Sequence, residues 1–208
     1  MYGAREATSV RRQRWPQLTF DGIALLATWT ETLHAHTGSE PPLALFLCRN
    51  NAAVSIMAEA LLRHLAQGLV RAASAGDTAA ASVNPYALEC LTAHRIPTDQ
   101  LFCKPWGVFF GYYRPPVRML ITLCNSDIYA ARAHWDHEAV RTVKTHWPTA
   151  DPEVTVGREI ELRPAFEELF VTLEARIRQL LALRLDRLSD QALSRELARI
   201  GDVQGALG

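Results

Sequence analysis

An excess of charge of either sign is missing from this sequence: over 208 residues, 22 Lys and Arg balance 22 Asp and Glu. A neutral chain offers no electrostatic footprint for nucleic acid, and no nucleic-acid partner is expected. Long apolar runs are missing too. No stretch reaches the roughly 20 apolar residues that span a bilayer, so no membrane segment is expected. The opening MYGAREATSVRRQRWPQ is too polar for a secretory leader, and the apolar piece after it is broken by Asp21, Gly22 and Glu31. The expected location is therefore the reducing cytoplasm. Cysteine is sparse: Cys48, Cys90, Cys103 and Cys124 are widely spaced, and none forms the C-x-x-C pair of a structural zinc site.

What is present is apolar mass. At 49% apolar residues the chain can bury the core of one large domain, or of one domain with an extension. Residues 1–17 carry Arg5, Arg11, Arg12 and Arg14 and read as a solvated tail. From 18 to 36, Phe20, Ile23, Leu26, Thr30 and Leu33 recur every three or four residues, which predicts an amphipathic helix. A lone helix of that length is marginal in water, so it needs a packing partner: its own domain, or a second copy in a homodimer. TGSEPP then breaks the chain. The expected division is an extension over 1–42 and a domain over 43–208.

From residue 43 onward strands alternate with helices. LALFLC is a continuous apolar run, as in a buried parallel strand. Ser55 to Gln67 reads as a helix ended by Gly68, and LVRAASAG as a second strand ending at Gly76. Asn84-Pro85 is an N-cap followed by a first-turn proline, so Asn84 to His94 is predicted helical. KPWGVFFGYY reads as a short helix or turn, VRMLITLC as a third strand, and DIYAARAHW as a loop or short helix. VRTVKTHW reads as a fourth strand, followed by PTADPEV as a loop. A long helix is predicted over 162–184, and a last one, capped by Ser189, runs to Gly201. The alternation predicts an α/β fold: a four-stranded parallel sheet with helices on both faces.

The candidate site is the stretch after the first strand, Cys48, Arg49, Asn50, Asn51, Ala52, Ala53, Val54 and Ser55. Ligands of open parallel sheets collect at the carboxyl ends of the strands. A loop entering a helix N-terminus there can aim backbone N–H groups at an anion. The same field lowers a cysteine pKa and favours the thiolate. Taken alone, the loop is equally compatible with a nucleophile and with a buried cysteine ending a strand.

The wider pattern separates these readings. CRNNAAVS followed by IMAEA resembles the C-x-x-N-x-x-R-S loop and following helix of the low-molecular-weight protein tyrosine phosphatase superfamily, most closely its thioredoxin-coupled arsenate reductases. SAG at 74–76, VNPYALECL, CKPW, ITLCNS and HWPTADP resemble further motifs of that family in the same order, so the likeness covers roughly 43–201. The resemblance implies Cys48 as nucleophile, Asn51 as loop organiser, Ser55 as thiolate partner and Asp151 as general acid. It implies an oxyanion such as phosphate or arsenate as ligand, thioredoxin or another protein as partner, and no cofactor or metal. Cys124 matches the second redox cysteine of the arsenate reductases, so a Cys48–Cys124 disulfide is part of what the resemblance implies.

Two departures stand out. Val54 occupies the place of the family arginine, whose planar fork clamps two equatorial oxygens; losing a comparable arginine costs on the order of 10³ or more in rate. Arg49 directly follows the cysteine and starts from a different side of the loop. Seven residues after Cys124, where the arsenate reductases have a third cysteine, stands Ala131. The expectation is a catalytically impaired member, a pseudoenzyme that binds an anion or a partner; the alternative is an active arsenate reductase or phosphatase using Cys48 and Asp151. Cys90 reads as core, and the role of Cys103 is open. His134 and His137 have the spacing to share a helix face and bind zinc, but the resemblance calls for no metal, and His146 belongs to its H-W pattern.

Overall fold

The computed structural model of the protein describes residues 40–109, 115–124, 142–156 and 159–202. The helix expected over 18–36, the DIYAARAHW segment and the His134–His137 pair lie outside them. The chain divides into two compact units, residues 1–40 and 41–208, and the described strands and helices belong to the second.

Four strands form the sheet: β1 (Leu43–Cys48), β2 (Arg71–Gly76), β3 (Val117–Thr122) and β4 (Val143–His146). Their order is β2-β1-β3-β4, and every pairing is parallel. β1 is central and buried along its whole length. Ala44, Phe46 and Cys48 belong to the main core cluster, and the alternate set Leu43, Leu45 and Leu47 is buried as well. Both faces are therefore covered, which is why β1 is a continuous apolar run rather than an alternating one.

Of the expected fourth strand VRTVKTHW, Val143–His146 forms the strand and Trp147 lies beyond it, and PTADPEV is not wholly a loop. Pro152–Thr155 closes a single helical turn, with the Asp151 side chain accepting from Glu153 N at 3.1 Å. An Asp-Pro pair is a cap and a first-turn proline, the combination that starts a helix.

The longer helices are α1 (Val54–Ala66), α2 (Pro85–Ala93), α4 (Glu159–Leu181) and α5 (Asp190–Asp202), with the Pro152–Thr155 turn as α3. α1 stops where Gln67 and Gly68 adopt φ of 47° and 88°, a left-handed exit that glycine makes easy. α2 is capped as expected, with Asn84 Oδ1 accepting from Tyr86 N and Ala87 N. α5 docks on Trp147, whose indole donates to Leu197 O at 2.9 Å. Gly201 is needed for that approach, because a Cβ there would lie 2.7 Å from His146 O and from the Trp147 ring. Trp147 and Phe46 are fully buried with ring centroids 6.1 Å apart, so truncating either to alanine would cost about 3–5 kcal/mol.

Register decides what shares the end of the sheet. Cys48 pairs with Gly76, Leu47 with Thr122, and Thr122 with His146. The ladder continues past the strands: Leu123 N donates to Leu47 O, Trp147 N to Thr122 O, and Thr149 N to Leu123 O. Cys48, Cys124 and the turn leading to Asp151 are thereby gathered at the carboxyl ends of three neighbouring strands.

Candidate active site

The loop between β1 and α1 is held by its neighbours' backbones. Thr78 N donates to Arg49 O, Ala80 N to Asn50 O, and Asn84 N to Ala52 O, at 2.8–3.0 Å. Gly76 lies directly beneath. A Cβ there would come within 2.8 Å of Arg49 O and Asn51 N, so only glycine lets the second strand approach the loop this closely.

Asn51 organises the interior. Its φ of 50° lies in the left-handed region, which asparagine tolerates better than most residues. The side chain makes three bonds: Oδ1 accepts from Lys104 N at 2.7 Å, and Nδ2 donates to Ser55 Oγ at 2.9 Å and to Ser74 Oγ at 2.8 Å. Ser74 Oγ donates onward to the Glu59 carboxylate, which is also held by Lys104 Nζ at 3.1 Å and by Arg63. Glu59 and Lys104 are both buried, so this ion pair survives by being fully hydrogen-bonded.

These bonds reach Cys48. Ser55 Oγ accepts from Asn51 and lies 2.8 Å from Cys48 Sγ, to which it donates when Cys48 is a thiolate. Asn51 N donates to the same sulfur at 3.2 Å. A hydrogen bond from the Cys124 thiol, then those from Ser55 and Asn51, pull the Cys48 pKa down to about 7, against the opposing effect of burial. Cys124 is pushed up in turn, by the same bond to Cys48, by burial, and by the charges of Cys48 and Asp151. Burial raises the Asp151 carboxyl above its ordinary range, and the nearby Glu153 charge adds to this, while the bond from Glu153 N works against it. The thiol is thus lowered toward neutrality while the carboxyl is raised from its normal range, opposite shifts with separate local causes.

A family model described as low molecular weight phosphotyrosine protein phosphatase matches residues 44–198. The chain belongs to this family. Among solved structures, the thioredoxin-dependent arsenate reductase of Corynebacterium glutamicum is 23% identical with a TM-score of 0.51, over 77% of this chain and 68% of that one. An arsenate reductase from Archaeoglobus fulgidus is 20% identical with a TM-score of 0.52, covering 67% and 99%. An arsenate reductase in a phosphate-binding state is 21% identical with a TM-score of 0.54, covering 68% and 97%. At these identities the likeness is one of fold. No curated protein matches the sequence.

Within this low-molecular-weight phosphatase domain, Val54 is the first residue of α1 and only 1% exposed, packed in the apolar core cluster. Arg49 is exposed, with its carbonyl engaged by Thr78. Cys48, Asn51, Ser55, Cys124 and Asp151, singled out from sequence, meet at one end of the sheet. Cys90 lies in the core cluster as expected. Cys103 is half-buried, its thiol raised mainly by burial.

The sequence placed Ser74 and Lys104 within motifs, SAG and CKPW, without assigning them a role, and did not single out Arg176. Ser74 and Lys104 hold Asn51 from positions 23 and 53 residues away, a distance no local pattern signals. Arg176, buried on α4, donates to Pro148 O, Thr149 Oγ1 and Gly201 O, pinning the segment that leads to Asp151 against α5. Its only trace in sequence is a basic residue amid the apolar face of a helix.

Proposed function

We propose that this low-molecular-weight phosphatase family member binds a tetrahedral oxyanion, phosphate or arsenate, in the loop 48–55, with turnover strongly impaired. The observation that carries this reading is the contrast at the loop. The Asn51–Ser55–Cys48 network is complete, while position 54 holds a buried valine. Backbone amides and the α1 N-terminus supply attraction for the anion. Charge building up on equatorial oxygens in a transition state finds no guanidinium fork at position 54, and that stabilisation is worth more than ground-state binding. In this reading Cys48 contacts the anion, Ser55 and Asn51 hold its sulfur, and Asp151 stands over the leaving-group side.

A second reading is supported by the shifted groups themselves. Cys48 lowered to about 7 and Asp151 raised are what a working phosphatase or arsenate reductase would use as nucleophile and general acid. In this reading Cys124, whose thiol acts on the Cys48 charge, would close a disulfide with Cys48 that thioredoxin would reopen.

Calorimetric titration with phosphate and arsenate, paired with turnover of an aryl phosphate, separates the two. Weak binding that is lost in Gly76→Ala, without turnover, supports the first reading. Turnover abolished by Cys48→Ser and depressed by Asp151→Asn replaces it with the second. Absence of any oxyanion binding overturns both.

A further inference from the structure

Away from the oxyanion loop, α2 and α4 bring three metal-ligating side chains together: Cys90 on α2, His94 at its C-cap, and Glu167 on α4. Their ligand atoms all lie within 4.8 Å of one another. Cys90 and His94 are four residues apart, so they rise from the same helix face one turn apart. His94 is already oriented: its Nε2 lies 2.7 Å from Glu167 Oε2, and its ring stacks on Phe170 with centroids 3.7 Å apart. The Cys90 thiol points at the same α2–α4 seam, where its Sγ lies 3.6 Å from Phe166 O. Cys90 is 5% exposed, whereas the His94 and Glu167 side chains are 37% and 49% exposed. The cluster thus has a buried sulfur at its floor and two water-facing ligands at its rim.

We propose that Cys90, His94 and Glu167 form a binding site for a thiophilic divalent cation, zinc above all, with three protein ligands and a fourth position open to water. The inference is independent of the reading of the oxyanion loop. Tetrahedral zinc with bonds of about 2.0–2.3 Å separates neighbouring ligand atoms by about 3.4–3.6 Å. The cation would open the His94–Glu167 contact by less than an ångström and draw the sulfur inward by about an ångström, shifts within the reach of side-chain torsions. One thiolate, one imidazole and one carboxylate suit zinc and its neighbours in the transition series rather than magnesium or calcium, which take all-oxygen sites. On binding, the Cys90 thiol proton leaves to solvent, and the proton between His94 and Glu167 leaves with it or moves to the other ring nitrogen, so that their hydrogen bond is exchanged for two bonds to the cation. Spacing alone gives no hint of this group, because Glu167 lies 73 residues from His94. The site would clamp α2 to α4.

The test is titration of the reduced full-length protein with Co²⁺, read as thiolate-to-cobalt charge-transfer absorption, followed by displacement with Zn²⁺. One equivalent is expected, with the absorption absent in Cys90→Ser and retained in Cys48→Ser. His94→Gln and Glu167→Gln, at exposed positions that leave the fold intact, are expected to weaken binding on the order of tenfold or more. Wild-type protein showing no charge-transfer absorption, or His94→Gln and Glu167→Gln variants binding as tightly as wild type, would overturn the site. The three residues would then be an ion pair beside a core thiol.

Discussion

Asn51 donates into Ser55 Oγ at 2.9 Å and holds that hydroxyl 2.8 Å from Cys48 Sγ, where it donates to the thiolate. A side chain with no contact of its own to the anion in this reading therefore governs the charge state of the thiol. Removing it in Asn51→Ala should raise the Cys48 pKa from about 7 toward the ordinary value near 8.5. Cys124→Ala, which removes the largest lowering influence, should raise it further. Since the thiolate is the reactive form, wild-type alkylation by iodoacetamide should fall as pH drops through about 7, and the variants' profiles should move to higher pH. Mass spectrometry of the Cys48 peptide isolates this thiol from Cys103. A Cys48 profile that stays put in both variants would show that the bonds do not set its charge.

Val54→Arg tests whether the clamp is the only missing part. The position is buried, so without an anion the new guanidinium should destabilise the fold by about 1–3 kcal/mol. Phosphate should recover that loss and bind more tightly than to wild type, because ligand held only by the native state stabilises it. Thermal unfolding with and without phosphate reads both effects. An equal phosphate response in variant and wild type would mean the loop cannot use an arginine there.

Gly76→Ala should abolish oxyanion binding through packing alone. Its Cβ would meet Arg49 O and Asn51 N at 2.8 Å, backbone atoms with nowhere to retreat. The expected loss of stability is about 1–3 kcal/mol, read by urea denaturation. Gly107→Ala, where nothing lies within 4 Å, is the matched control. Phosphate binding that persists in the Gly76 variant would show the loop to be more plastic than its hydrogen bonds imply.

Arsenate reduction coupled to thioredoxin should be absent or very slow, because Ala131 leaves no thiol where a third relay cysteine is expected. Steady turnover that vanishes in both Cys48→Ser and Cys124→Ser would instead establish a cycle using two cysteines.

Residues 18–36 carry the pattern of an amphipathic helix in need of a partner, and the sheet of the second unit is complete without them. Deleting residues 1–40 should convert a dimer into a monomer by light scattering. A protein that is monomeric before and after deletion excludes that role.

Much of this was legible in the chain itself. The apolar run of β1, the Asn84-Pro85 cap and the alternation of strand and helix are local patterns, and local patterns survive without a structure. The motif residues Cys48, Asn51, Ser55 and Asp151 could be picked out because the short segments that hold them resemble those of the family. The Asp-Pro pair was informative too, although it starts a helical turn where a plain loop was expected.

Other features were decided only in three dimensions. That Cys124 acts on the charge of Cys48 depends on β1 and β3 being neighbours in parallel register, a non-local choice made by the core. The same holds for Ser74, Glu59 and Lys104, which come from three elements and become one network only when Glu59 is buried and must be satisfied. Arg176 and the Cys90–His94–Glu167 group likewise arise where helices meet. Sequence determines which residues a short segment offers to a surface. Which of them face one another is decided by burying the apolar faces all at once, and that is a property of the whole fold.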